Sequence, residues 1–302
     1  ALALAHDAGV KISVVAVNHG STDNTVDALA QAVAKDSRWQ VVNMDRRQQS
    51  KKEALHAGIQ ASRGQVILVT DADCVPANED WILQMTSGAT VMWDVHVGLS
   101  LPMEPKSVLM RLQRLEARRL AQRAVGTVLG GRPYLGFGRN MAMTRAIWNR
   151  VGGFQSHLHL PSGDDDVWLQ SAVTQGARVH INVDPKAQTI STWPATWAAW
   201  RKQKTRHFTA SKAYPFALKL RLAIPHLAWL LIAVGVVHNT SGTSVALASL
   251  ALMIRTLTFG MFLNRAGQPW HDAWEILLEP LVSAFRFWAW LKGQTSEPIP
   301  WK

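Results

Sequence analysis

The chain has 302 residues, which is enough for one large domain or two domains with a full hydrophobic core. Lysine and arginine outnumber aspartate and glutamate by 32 to 21, so the net charge is +11, and this surplus favours polyanionic partners such as nucleic acid, anionic lipid or phosphorylated substrates. The single cysteine, Cys74, excludes an internal disulfide and is typical of a reducing, cytosol-facing compartment.

Strand and helix signals alternate from the start of the chain. Residues 1–6 read as the end of a helix whose preceding strand lies upstream. The patterns that follow predict a strand over 11–17, a helix over 22–34, a strand over 39–44, a helix over 52–61 and a strand over 66–70. Repeated units of this kind predict an α/β fold with a parallel sheet and helices on both faces.

The regular alternation of strand and helix signals ends after residue 76. The predicted elements are a strand over 94–101, a helix over 106–124, a strand over 139–144, a helix over 165–175 and a strand over 178–183. The helix at 106–124 is amphipathic, with leucines between arginines at helical spacing. That pattern suits a membrane surface, and a solvated helix face explains it equally well. The arginines concerned are Arg111, Arg114, Arg118, Arg119 and Arg123.

An amphipathic junction, 201–221, leads into the apolar region 222–302. Two apolar segments, 222–237 and 245–263, are joined by an uncharged hinge, and they predict a hairpin of two membrane spans. A buried helical hairpin in a soluble protein is the alternative. Basic residues flank the pair, so the positive-inside rule places both of its ends and everything before it in the cytoplasm.

Two features of this region need separate expectations. Arg255 interrupts the second apolar segment, and we expect it to face protein or water rather than lipid. The segment 274–291 is apolar but carries charges, so it either spans the bilayer or lies in its interface. We expect the interfacial position.

The apolar run 66–69 ends on two carboxylates, Asp71 and Asp73. In open α/β sheets ligands gather beyond the carboxyl ends of such strands. Mg²⁺ prefers one or two carboxylates together with phosphate oxygens of a substrate. The pair therefore predicts a divalent-cation site. A solvated turn that happens to hold two aspartates is the alternative.

Three other polar groups can carry chemistry. In the loop 18–25, Asp23 can accept a hydrogen bond from a base or ribose edge, although an ordinary helix cap explains the loop too. The acids at 164–166 open a helix, and crowded carboxylates raise one another's pKa, which favours a general base. Gln203 and Arg206 precede the apolar region, where Arg206 can bind a diphosphate or serve as a basic juxtamembrane anchor.

Taken in order, these segments resemble the family 2 glycosyltransferases, nucleotide-sugar-dependent enzymes with a GT-A fold. The resemblance is greatest to the membrane-anchored branch that includes cellulose and hyaluronan synthases. Two positions depart from the family pattern: His19 stands where an acid is usual, and His207 replaces the tryptophan of Gln-x-x-Arg-Trp. The matching motifs are the nucleotide loop 18–25, the lysine-Ala-Leu segment 51–55, the DxD motif 71–73, the acceptor-side segments 138–142 and 151–154, the Glu-Asp equivalent 163–165, and 203–207.

The resemblance implies a GT-A (Rossmann-like) nucleotide-sugar-binding domain over 1–200, followed by C-terminal transmembrane or interfacial helices. It implies inverting transfer with Asp165 as catalytic base and with Mg²⁺ or Mn²⁺ held by Asp71 and Asp73. The residues it assigns to the nucleotide sugar are Asp23, Lys51, Asp71, Gln203 and Arg206. The residues it assigns to the acceptor side are Asn140, Asp164 and Trp200.

The implied partners are a nucleotide diphosphate sugar, a lipid-linked or glycan acceptor and a membrane, without nucleic acid. The implied location is a bacterial-type inner or cell membrane, with a multi-pass anchor and a cytoplasmic catalytic domain. A catalytically inactive, glycosyltransferase-like membrane scaffold is a rival, favoured by His19 and His207 and opposed by the acids. A nucleic-acid-binding protein explains the net charge less well than membrane contact does.

Overall fold

The computed structural model describes residues 1–45, 50–101, 104–238 and 241–295. Its first part follows the predicted alternation closely, because each apolar run is bounded by turn residues. The elements are α1 (Leu2–Asp7), β1 (Val14–His19), α2 (Thr25–Lys35), β2 (Trp39–Met44), α3 (Lys51–Ala61), β3 (Val66–Val69), β4 (Cys74–Pro76) and α4 (Trp81–Thr86).

The second part contains the remaining strands and the helices that pack on them. Its elements are β5 (Val95–Gly98), α5 (Val108–Leu129), β6 (Met141–Thr144), α6 (Arg145–Val151), α7 (Asp166–Thr174), β7 (Val179–Asn182), β8 (Thr189–Ser191) and α8 (Trp197–Thr209).

The sheet is mixed, so the prediction of a parallel sheet was wrong. Strands β1 and β2 form a parallel pair, whereas the four-stranded sheet has the order β3-β6-β5-β7, in which β6 runs antiparallel to both neighbours. Strand β6 follows the long helix α5 and enters between β3 and β5 from the opposite direction. Because Val69 of β3 is paired with Met141 of β6, the loop that precedes β6 lies beside the turn that follows β3.

The sheet packs on α6 and α7. Val95, Met141 and Met143 form part of a buried cluster with Trp148 of α6 and Trp168 of α7, and these two indole rings stack with centroids 5.8 Å apart. Since aromatic side chains of this size bury a large apolar area, this packing fixes α7 against the sheet. The start of α7 is thereby held at the edge of the sheet.

Helices follow the α/β domain, as predicted. They are α9 (Phe216–His238), α10 (Gly242–Arg265), a 3₁₀ helix (Trp270–Leu278) and α11 (Glu279–Thr295). Within the described part of the chain, only α10 is long and apolar enough to cross a membrane. The predicted multi-pass arrangement is therefore not supported. Parts of the predicted region 222–302, at 239–240 and 296–302, lie outside the described residues.

For three arginines of the basic helix α5, Arg114, Arg118 and Arg119, both interpretations, a membrane surface and a solvated face, were wrong. Three of the arginines pair with acids of the 3₁₀ helix and the first turn of α11, which supply the opposite charge that burial requires. Arg255 of α10 pairs with one of the same acids, which confirms that it faces protein. This ion-pair cluster contains Arg114, Arg118, Arg119 and Arg255 with Glu104, Asp272, Glu275 and Glu279.

Candidate active site

One lysine side chain joins two acidic segments that lie far apart in the sequence. Lys51 opens α3, whose start is capped reciprocally by Ser50 and Glu53. Lys51 Nζ lies 2.8 Å from Asp71 Oδ1 and 3.0 Å from Asp164 Oδ2. Burial alone would lower the pKa of Lys51, but the two carboxylates outweigh it and raise that pKa. The fold therefore builds one site from both acidic segments.

Asp71 and Asp73 lie in the turn between β3 and β4. One ligand atom each of Asp71, Asp73 and Cys74 lie within 4.8 Å of one another. Thr192 Oγ1 lies 3.4 Å from Asp73 Oδ2. Burial, together with the charges of the two aspartates, raises the pKa of the Cys74 thiol to about 11. The hard ligands at neutral pH are thus the carboxylate oxygens, a donor set that fits Mg²⁺ or Mn²⁺.

Asp165 stands at the start of α7 with both carboxylate oxygens bonded to backbone amides. Its Oδ1 accepts from the Asp166 N–H at 2.8 Å, and its Oδ2 accepts from the Gly138 N–H at 3.2 Å. Burial and the Asp164 carboxylate raise the pKa of Asp165. At Asp164 itself burial also acts to raise the pKa, but Lys51 outweighs it and lowers that pKa. Asp165 is therefore the better proton acceptor of the pair.

The third acid, Asp166, contacts Tyr214. Its buried carboxylate accepts a hydrogen bond from the hydroxyl of Tyr214. Burial and the neighbouring Asp165 raise the pKa of Asp166 to about 8. Tyr214 lies just before α9, so this bond connects the start of the C-terminal helices to the start of α7.

Lys52 fixes the loop that precedes the three acids. Its Nζ donates to the carbonyl oxygens of His157, Leu160 and Ser162 at 2.5, 2.5 and 3.1 Å. The side chain is 1% exposed, and burial lowers its pKa to about 8. Gly163 follows with φ +99°, a backbone conformation that residues with a side chain rarely adopt. Lys52 and Gly163 together fix the backbone position at which this loop ends and the three acids begin.

Helix α8 brings Arg206 to the same region, and Gln203 lies half-buried one turn earlier on this helix. Arg206 is half-buried, and burial lowers its pKa against the opposing charges of Asp164 and Asp71. Both carboxylates act to raise this pKa, so their negative charges favour the charged guanidinium. Ser162 Oγ donates to the carbonyl oxygen of Arg206 at 3.1 Å, which ties α8 to the loop before the acids.

A buried ion pair between α8 and α5 fixes the position of α8. Lys204 lies between Gln203 and Arg206 in the sequence, and its Nζ lies 2.7 Å from Oε2 of Glu116 on α5. Both side chains are buried. Because a buried charge is stable only when it is paired, this contact restricts the rotation of α8 and hence the placement of Arg206.

Two side chains predicted for the acceptor side lie in the core. Asn140 is fully buried, and its amide nitrogen donates to the carbonyl oxygens of Leu99 and Ala187 at 2.7 and 2.8 Å. Trp200 is also fully buried, and its ring stacks on Phe285 with centroids 4.0 Å apart. Both residues contribute to packing around the site rather than to an open surface.

Asp23 lies in an exposed turn before α2. Its Oδ1 accepts from the backbone N–H of Thr25 at 3.1 Å and from the Thr25 hydroxyl. These hydrogen bonds lower the pKa of Asp23, the side-chain bond contributing most. The contacts are local to the start of the helix, as in an ordinary turn that precedes a helix.

Sequence reasoning overlooked Lys52, Glu116 and Tyr214. A signal existed for Glu116, since it is the single acidic residue among the arginines of 106–124. For Lys52 and Tyr214 no local pattern distinguishes a buried polar contact from a solvated side chain. Their roles depend on partners more than 40 residues away.

One family model is similar to the first part of the chain. Residues 3–98 match Glycosyl transferase family 2. None of the curated proteins matches the chain. Among solved structures, the mannosyltransferase PcManGT from Pyrobaculum calidifontis, in complex with GDP-Man and Mn²⁺, is similar with a TM-score of 0.57 and 17% identity. The similarity covers 94% of this chain and 78% of that one, and it shows the fold: a GT-A-like α/β domain followed by C-terminal helices.

The family 2 match includes Lys51, Asp71 and Asp73, and it ends before Asp164 and Arg206. The structure joins the two parts, because Lys51 of the matched segment bonds Asp164 of the segment beyond it. The comparisons do not distinguish a cellulose or hyaluronan synthase-like branch within the family.

Proposed function

We propose that this protein is a metal-dependent, inverting glycosyltransferase that uses a nucleotide diphosphate sugar. The observation that carries the proposal is the Lys51 ammonium bonded to both Asp71 and Asp164, since it brings the DxD turn and the acids of α7 into one site. The acceptor is a lipid-linked sugar or a glycan, and transfer takes place at the cytoplasmic face of a membrane.

In this proposal Asp71 and Asp73 hold Mg²⁺ or Mn²⁺. The ion, when bound, neutralises charge on the leaving diphosphate as the anomeric bond breaks. Arg206 and Gln203 of α8 lie over the diphosphate, and the half-buried position of Arg206 near Asp71 supports this role. Asp23 contacts the nucleotide from the exposed turn before α2.

Asp165 is the proposed catalytic base. It takes the proton from the acceptor hydroxyl while that oxygen attacks the opposite face of the sugar, as a carboxylate does for water in inverting glycosidases. Its raised pKa favours proton uptake, and the two backbone N–H groups hold the carboxylate in one orientation. Asp164 remains charged beside Lys51 and assists on the acceptor side.

The domain organisation follows the same proposal. Residues 1–200 form the transferase domain, 201–221 the junction and 222–302 the membrane-associated region. Exposed apolar side chains on α9 and α10 support contact with lipid, because clusters of such side chains mark sites of membrane or protein interaction. They include Phe216, Leu220, Ile224, Leu247, Leu250 and Met253.

The proposal is tested by a panel of GDP-, UDP- and dTDP-sugars offered to membranes that contain the protein. GDP-mannose is the first donor to test, because the structural relative binds GDP-Man. We expect one donor to be consumed in the presence of Mn²⁺ and none after chelation. If wild-type membranes and Asp165→Asn membranes release equal amounts of nucleotide from every donor, the protein is an inactive scaffold instead.

A further inference from the structure

Four helices meet at the carboxylate of Glu279. This residue begins α11, and its Oε1 lies 2.9 Å from an Nη atom of Arg119 on α5. Its Oε2 accepts from Trp229 Nε1 of α9 at 3.1 Å and ion-pairs with Arg255 of α10. Arg255 also lies over the Trp229 ring, 4.7 Å from its centroid. The α/β domain is therefore in direct contact with α9 and α10 at this level.

On one side of Arg255, helix α10 is packed against the α/β domain. Phe259, Phe262 and Leu263 are buried in one cluster with Leu112 and Leu115 of α5. Gly260 lies so close to the ring of Trp270 that a Cβ atom would overlap it. The last turns of α10 thus belong to the protein interior.

On the other side of Arg255, helix α10 is covered by protein on one side only, where Leu252 packs against the same cluster. None of the residues 242–254 is buried, and the exposed fraction reaches 63% at Leu247 and 52% at Met253. The exposed large apolar side chains of this part, at 245, 247, 250, 253 and 254, cover roughly 200° of the helix circumference at about 100° per residue. A docking face for one protein partner is a narrower stripe. An apolar surrounding over more than half of the helix circumference is what lipid hydrocarbon provides.

The helices beyond the Glu279 contact are too short to cross a bilayer. Residues 242–254 rise about 20 Å and residues 230–238 about 14 Å, at about 1.5 Å per residue. The hydrocarbon core is about 30 Å thick, so each leaflet contributes about 15 Å. Moving Glu279 and Arg119 into the hydrocarbon to gain length would also draw α5 of the α/β domain into it.

The charged residues around α9 and α10 are arranged as expected for helices that enter a membrane from one side. No Asp, Glu, Lys or Arg lies between Arg221 and Arg255, whereas Lys219 and Arg221 precede it and Arg265 follows it. Trp270 and Trp274, which follow α10, are about half exposed. Basic and tryptophan side chains at this position suit the headgroup region of an anionic membrane.

We propose that α9 and α10 enter one leaflet as a hairpin and do not cross the bilayer. The end of α9 and the start of α10 then lie inside the hydrocarbon, and the acidic site, the ion-pair cluster and the other ends of both helices lie on one side. This inference rests on the part of the proposed function that places the protein at a membrane. It does not depend on the donor or on the chemistry.

The single cysteine of the chain allows a direct test. In a Cys74→Ser background, Thr243→Cys places a thiol at the exposed first turn of α10. Ser37→Cys, in the exposed loop between α2 and β2, is the matched control on the α/β domain. Both variants are exposed to a membrane-impermeant maleimide in spheroplasts, in inverted membrane vesicles and after solubilisation in detergent.

We expect Ser37→Cys to be modified from one side only. Thr243→Cys should be modified from neither side, at about one tenth of the control or less, because the reactive thiolate does not form in hydrocarbon. Detergent should restore its modification. Modification from the side opposite to Ser37→Cys would show that the hairpin spans the bilayer. Modification from the same side would show that it never enters lipid.

A protein partner that covers Thr243 is distinguished by depth-dependent quenching. A small environment-sensitive fluorophore on Thr243→Cys should be quenched by phospholipids brominated on their acyl chains, and a fluorophore on Ser37→Cys should not. Absence of quenching at residue 243 would overturn the proposal. Sugar transfer by wild-type membranes, measured in parallel, reports separately on the proposed function.

Discussion

Two regions of the molecule gather charged side chains within the fold, and they differ in how those charges are balanced. In the ion-pair cluster, arginines of α5 and α10 are matched by an equal number of carboxylates. In the candidate active site, Lys51 pairs with two of five aspartates. The aspartates of this candidate site are Asp71, Asp73, Asp164, Asp165 and Asp166.

The difference separates a structural role from a functional one. Because its charges are balanced, the ion-pair cluster does not attract a further cation or proton. It joins the α/β domain to the C-terminal helices. An excess of carboxylates attracts a divalent cation and raises the pKa of the group that accepts a proton. The four predictions below test this contrast, beginning with the largest expected effect.

Asp165→Asn should abolish sugar transfer while the affinity for the nucleotide sugar is retained. The amide cannot accept the proton of the acceptor hydroxyl, and general-base catalysis contributes about 10²–10⁴-fold to a rate. Release of nucleotide diphosphate measures the rate, and calorimetric titration of the donor measures the affinity. Asp27→Asn, on the exposed face of α2, is the control and should transfer at the wild-type rate. Full turnover by Asp165→Asn would remove this residue from the chemistry.

Glu275→Gln should lower the free energy of unfolding by about 3–5 kcal/mol, because it leaves buried arginine charge without its partner. Glu275 is fully buried and pairs with Arg114 and Arg118. Denaturant titration in detergent measures the loss. Asp36→Asn, which breaks a partly exposed pair with Arg38, should cost much less, because exposed ion pairs contribute little to stability.

The same titration on Asp165→Asn sharpens the contrast. Removing one carboxylate from a crowded group relieves repulsion, so the free energy of unfolding should stay unchanged or rise. If Glu275→Gln costs no more than Asp36→Asn, the balanced cluster does not hold the C-terminal helices to the domain.

Much of the α/β domain could be predicted from the sequence, because its elements depend on local patterns. The run 66–69, for example, is apolar and ends on polar turn residues, and it forms β3 as expected. The antiparallel placement of β6 could not be predicted, since the residues of a short strand do not indicate its direction relative to its neighbours in the sheet. The convergence of Asp71 and Asp164 followed from family resemblance and not from spacing.

The ion-pair cluster was beyond sequence reasoning for a related reason. Arg118 and Asp272 pair at 2.9 Å although they are 154 residues apart. A row of arginines on one helix face looks the same whether water, lipid or distant acids neutralise it. Only the packing of the 3₁₀ helix against α5 shows that distant acids, and not water or lipid, neutralise the arginines. Trp200 illustrates the same limit, because its stacking partner Phe285 comes from α11.

Asp73→Ala should remove the Mn²⁺-dependent part of the affinity for the nucleotide sugar. The expected loss is about tenfold or more, which corresponds to about 1.4 kcal/mol or more. The reason is that one carboxylate of the DxD turn alone holds the cation less firmly. Calorimetric titration of the donor with Mn²⁺ and with chelator measures the difference. Equal affinities of the variant and the wild type in Mn²⁺ would refute the metal assignment.

Asp166→Asn should make the protein more stable at pH 8 and leave its stability at pH 4 nearly unchanged. Burial and Asp165 raise the pKa of Asp166 from the ordinary 3.8 to about 8, so the folded protein retains a proton that the unfolded chain releases. The stabilisation from this proton is complete below about pH 4 and is lost as the pH rises toward 8. Asparagine keeps the neutral form at every pH, so the gain in stability of the variant over the wild type should grow as the pH rises from 4 to 8. Urea titrations at pH 4, 6 and 8 measure it, and a variant less stable than the wild type at pH 8 would mean that Asp166 is charged in the folded site.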